Sequence, residues 1–76
     1  MKVEWIQWLD SHRGGGWQSP EDIRRSLTIE SLGYLIGEDE HSVTITTSIA
    51  IGSGCVIDPL TIPKCSIVER QEVVFQ

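Results

Sequence analysis

Basic residues are scarce in this chain: six Lys and Arg stand against eleven Asp and Glu, for a formal net charge of −5. Duplex nucleic acids are bound by clustered cations that displace counterions from phosphate, so the balance argues against a duplex-binding protein. A local pocket is not, because Arg13, Arg24, Arg25, Lys64 and Arg70 could still converge on a small anion. Long apolar runs are also missing. None approaches the roughly 20 residues that span a bilayer, so no membrane partner is expected. The opening Met1-Lys2-Val3-Glu4 leads into no signal-like apolar segment, which predicts a cytoplasmic protein. Cysteine is limited to Cys55 and Cys65, expected as reduced thiols rather than a disulfide framework. The chain is short, 76 residues, so one domain is expected over 1–76. A domain of that size buries only roughly 60% of its unfolded surface, which makes self-association or very efficient packing an expectation.

What is present is β-forming. Residues 2 to 9 carry Val3, Trp5 and Leu9 on one parity and Ile6 and Trp8 on the other, which predicts a strand covered on both faces. Trp5 and Trp8 cannot both face one core, so one of them is exposed, at a self-association interface or in a pocket. Ser19-Pro20-Glu21-Asp22 supplies an N-cap, a first-turn proline and two acids, predicting a short helix from Pro20 to about Arg25. A second strand places Leu32, Tyr34 and Ile36 on one face, with Gly33 marking a bend or close backbone approach. The third alternates Val43, Ile45, Thr47 and Ile49 against a hydroxyl ladder of Ser42, Thr44, Thr46 and Ser48. Gly52-Ser53-Gly54 reads as a hairpin connection into a fourth strand from Cys55 to about Ile62, Pro59 being confined to an edge or bulge. A 3₁₀-like turn follows Pro63, and the last strand runs from Ile67 to Phe75. The fold class expected is mainly β with one short helix: a small, strongly bent, antiparallel five-stranded sheet or a partly open Sm-like barrel. Its apolar end, Val73-Val74-Phe75, is the edge expected to pair with a second copy.

The chemistry-bearing residues concentrate between Trp8 and Gln18, where Asp10, Ser11, His12 and Arg13 precede Gly14-Gly15-Gly16 and Trp17. Three glycines free the backbone and two tryptophans anchor it, as in a binding loop. Asp10, Ser11 and His12 have the residue types of a hydrolytic triad, but neighbours in sequence do not converge as nucleophile, base and orienting acid must. Local turn hydrogen bonding is the plainer reading of Asp10 and Ser11. His12, His41, Cys55 and Cys65 lack the spacing of a zinc site, and no Gly-Lys-Ser/Thr follows the glycines, so neither a metal nor a cofactor is expected. His41 and the acids of Gly37-Glu38-Asp39-Glu40 read as a solvated turn. Trp17 is first a lid on the small core, and otherwise a stacking platform. A non-enzymatic ligand site is therefore expected from Ser11, His12, Arg13, Trp17, Thr47, Ser48 and Lys64, an aromatic face with hydroxyl and cationic donors.

Val3-Glu4-Trp5, Trp8-Leu9-Asp10-Ser11-His12, Gly16-Trp17-Gln18, Leu32-Gly33-Tyr34-Leu35-Ile36, Ser48 and Ile62-Pro63-Lys64 together resemble a family of small, largely uncharacterised bacteriophage and prophage proteins. This chain departs from the family pattern in repeating Trp-x-x-Trp at its start. The resemblance implies a phage origin and the host bacterial cytoplasm, and it brings no catalytic residue. By analogy of size and architecture, such proteins include anti-defence proteins that sequester the cyclic-oligonucleotide or ADP-ribose-derived signals of CBASS and Thoeris immunity. The function expected on that analogy is sequestration of a nucleotide-derived immune signal by a homo-oligomer. The alternative is a protein-interaction module that inhibits a host or phage protein directly, with Glu38, Asp39, Glu40, Glu69 and Glu72 as an acidic surface.

Overall fold

The computed structural model describes residues 1–10, 17, 20 and 27–75. Its strands are β1 (Val3–Asp10), β2 (Leu27–Glu38), β3 (Ser42–Thr46), β4 (Ser48–Ile49), β5 (Val56–Ile57), β6 (Leu60–Pro63) and β7 (Ile67–Val73), with a 3₁₀ turn at Lys64–Ser66. Five of these form one antiparallel sheet in the order β6-β3-β2-β1-β7, and β4 and β5 form a separate two-stranded ribbon. The protein is thus mainly β, a small bent sheet that does not close into a barrel. The expected helix from Pro20 to about Arg25 and the loop from Ser11 to Gly16 lie outside the described residues.

Tryptophan and β-branched residues favour the extended backbone of β1, which pairs with β2 on one side and β7 on the other. Its even positions, Ile6 and Trp8, point into the core with Leu35, Val43, Ile45, Ile62 and Ile67. Ile6, Val43 and Ile62 are fully buried. Each such side chain contributes about 1.5–3 kcal/mol of transfer free energy, so a handful of them carries the fold. Trp8 keeps its indole N–H satisfied at the core margin by donating to Ser31 Oγ at 3.0 Å. Trp5 takes the opposite face, where it lies across from Leu32, and Val3 lies between Tyr34 and Val73.

Gly33 shapes the bend. A Cβ there would stand 2.7 Å from the Thr46 carbonyl oxygen, so only glycine lets the end of β3 fold across β2. Beyond that crossing the third strand breaks at Thr47, where a continuous strand to Ile49 was expected. Thr46 is buried rather than part of an exposed hydroxyl ladder, because its Oγ1 donates to the Ile57 carbonyl at 2.7 Å and pins the ribbon. The fourth strand is likewise split into β5 and β6, at Asp58 with φ 48° followed by Pro59. Left-handed backbone and a missing N–H both interrupt a ladder. The second strand is longer than expected, since Leu27–Ile29 joins it, and the last ends at Val73.

Candidate functional site

Two regions could carry chemistry, one at each end of β3. At its start the chain turns through Asp39, whose Oδ1 accepts from the backbone N–H groups of His41 and Ser42, both at 2.8 Å. Those donors hold the Asp39 carboxyl below its usual range. Beside it Arg70 of β7 grips Glu38 with both ends of its guanidinium, each bond 3.1 Å, and donates to Glu4 Oε2 at 2.6 Å. Lys64, on the 3₁₀ turn, adds a 2.8 Å contact to Glu38. Arg70 first and Lys64 second pull the Glu38 carboxyl down to about 2, and Arg70 in turn is raised by Glu38 above all. The acids of this turn therefore do more than keep it in water. Asp39 closes the turn, and Glu38 ties the end of β2 to β7.

As chemistry the clamp is inert. A carboxylate ionised far below neutrality is a poor proton shuttle, and both carboxylates of the clamp are already occupied by guanidinium. Among the described residues no three His, Cys, Asp or Glu side chains come together as metal ligands. Cys55 and Cys65 are both free and exposed.

At the far end of β3 three hollows share Thr47 as a wall. One, of about 440 Å³, runs between Tyr34, Ser48, Ile49, Ile51 and Met1. A second, of about 190 Å³, opens between Leu32 of β2 and Asp58 and Leu60. The third, of about 180 Å³, lies on the outer face between Val3, Leu32, Tyr34 and Phe75. The described lining residues include no Lys, Arg or His. Apart from Asp58 their side chains are apolar or hydroxyl-bearing: Leu32 is 57% exposed, Tyr34 37%, and Ile51 and Phe75 stand almost free of contacts at 98% and 78%.

The residues expected to form one ligand site are distributed over this frame. Thr47 and Ser48 are together in the large hollow. Lys64 is not with them: its N–H bonds to His41 O at the start of β3, so at about 3.3 Å per residue it sits roughly 17–20 Å from Thr47. Its ammonium belongs to the Glu38 clamp. Trp17 is fully exposed and so covers no part of the described core. Ser11, His12 and Arg13 lie outside the described residues. Tyr34 was missed as a site residue, although its place on a strand face opposite glycine-flanked alternation was legible. Nothing in the sequence signalled that it would line a hollow with Thr47, since that depends on the register that sets Tyr34 opposite Thr46. No protein-family model, curated protein or solved structure matches this chain.

Proposed function

We propose that this chain is a non-catalytic binding module that engages a protein partner through the outer face and the hollows around Thr47. The observation that carries the reading is the meeting of three adjoining hollows at one threonine, walled by exposed Leu32, Tyr34, Ile51 and Phe75. Apolar side chains so placed on a small domain fit partner residues inserted from outside, with Thr47 and Ser48 hydroxyls orienting them. The direct-inhibitor role follows from this surface more readily than from an acidic one, because Glu38 and Asp39 are engaged within the chain. The test is affinity purification from nuclease-treated bacterial lysate with the native chain, Tyr34→Ser and Lys64→Ala. A stoichiometric protein retained by the native chain and by Lys64→Ala, and lost with Tyr34→Ser, is expected. Equal capture by all three would overturn the assignment.

Sequestration of a nucleotide-derived immune signal, in a phage-encoded anti-defence role, is the second reading. It is favoured by the full exposure of Trp17 beside the glycine-rich loop, an aromatic face open for stacking. Native mass spectrometry against cyclic di- and trinucleotides and ADP-ribose cyclisation products tests it. Binding lost in the Trp17→Ala, Arg13→Ala double variant, with an unchanged circular dichroism spectrum, is the expected result. No retained ligand at large molar excess would end it.

A further inference from the structure

Three stretches of four or more residues leave the sheet's backbone hydrogen-bonding groups without a partner strand among the described residues, and they are not equally protected. Edge strand β6 is four residues long and ends in Pro63. Edge strand β7 carries Glu69, Arg70 and Glu72 within seven residues. Short length, proline and charge are the usual defences of an edge against pairing with another chain. The third place is internal to the strand order. β2 pairs with β3 only from Tyr34 to Glu38, whereas it pairs with β1 all the way to Leu27. Residues 27–32, Leu-Thr-Ile-Glu-Ser-Leu, therefore show an edge that meets no strand among the described residues, with one charge, Glu30, and no proline.

The groups that face outward along this edge can be named. Leu35 N–H donates to Lys2 O, so odd positions of β2 direct their backbone at β1. By the alternation of an antiparallel ladder, Thr28, Glu30 and Leu32 direct theirs away from it. A two-fold axis normal to the sheet preserves its faces, so a copy pairing here must match positions of like parity. Centring on Glu30 would set two carboxylates opposite each other, which is destabilising. Centring on Ile29 sets Thr28 against Glu30 on both sides of the axis and Leu27 against Ser31. Those Thr28 and Glu30 positions are the outward-facing ones, so each such pair exchanges both of its N–H···O bonds.

The core face agrees with this register. Ile29 lies opposite Trp8 of β1, on the side of the sheet that carries Ile6, and both Ile29 and Trp8 are only half-buried. Two Ile29 side chains meeting at the axis would extend the described core beyond Trp8. We infer that β2 residues 27–32 pair antiparallel with the same segment of a second copy, centred on Ile29, joining two sheets into one.

The full chain is tested by sedimentation velocity and by crosslinking. A reversible dimer is expected, converted to monomer by Thr28→Pro. That substitution removes only an outward-facing N–H and leaves the ladder to β1, so its melting by circular dichroism stays cooperative. Should Thr28→Pro unfold the chain, the crosslink still decides. In a Cys55→Ser, Cys65→Ser background, Ile29→Cys should oxidise to a disulfide-linked dimer, since directly opposed Cα atoms lie within disulfide reach. Leu9→Cys, exposed on the other face of β1, should not. A chain that stays monomeric at high micromolar concentration overturns the pairing, as does an Ile29→Cys crosslink no greater than that of Leu9→Cys. Protection of the Thr28 and Glu30 amides from exchange in a monomer would also overturn it, because another part of the same chain would then cover the edge. None of these outcomes depends on the hollows at Thr47.

Discussion

From Tyr34 to Glu38, β2 lies between β1 and β3; from Leu27 to Leu32 it has β1 alone among the described residues. The enclosed half borders Val43 and Ile45, both buried, and finishes in the clamp of Glu38 by Arg70 and Lys64. The open half bears Leu32 and Leu27 partly in solvent and ends the sheet at its tip. One strand of similar composition throughout thus serves two purposes. Where both ladders form, it holds the fold together. Where one is missing, its outward backbone groups and Leu32 meet no second strand among the described residues. Gly33 sits at the border, and the difference between the halves follows from the crossing of β3 that its missing Cβ allows.

The contrast can be broken most severely at Ile45, which is paired with Leu35 on the enclosed side. Ile45→Asp would place an unpaired carboxylate in the core, at a cost of about 4 kcal/mol or more, enough to abolish cooperative melting. A folded variant by circular dichroism would mean that the enclosed half does not hold the structure. At the border, Gly33→Ala should cost about 1–3 kcal/mol, because a Cβ 2.7 Å from backbone must push β3 away. An unchanged Tm would show that the crossing is soft.

The clamp adds a pH dependence confined to the enclosed end. Glu38 is ionised down to about 2 in the folded protein against 4.5 when free, so the unfolded state binds its proton first as acid is added. Its stabilisation is therefore complete above pH 4.5 and is lost as the pH falls from there toward 2. Glu38→Gln should flatten that part of the acid-melting profile while leaving the open half untouched. A profile identical to that of the native chain would remove the clamp from the account. The smallest effect belongs to the open half, where Leu32→Ser should change the stability of the monomer by no more than about 0.5 kcal/mol. A larger loss would mean that the outer face is core after all.

Much of the architecture could be read from alternation. Val43 and Ile45 against Ser42 and Thr44 announced a half-buried strand, Gly52-Ser53-Gly54 a connection, and Pro63 a short turn before the last strand, because each depends on interactions within a few residues. The conflict between Trp5 and Trp8 announced that one indole would leave the core, though not which. The candidate site was far less legible. Thr47 and Ser48, singled out for their hydroxyls, do line one hollow, whereas a whole strand separates Lys64 from them. Tyr34 was overlooked because its neighbours in the hollow are more than ten residues away along the chain.

The sequence by itself determined that the chain is β-rich, roughly where strands fall but not where they end, and that Gly33 needed room, since these follow from side-chain period and backbone freedom. Only the tertiary structure decided that Trp8 rather than Trp5 joins Ile6, that Glu38 and Glu4 share Arg70, and that β2 outruns β3. Those outcomes depend on register and on where one strand stops beside another, and both are set by contacts between residues distant in the chain.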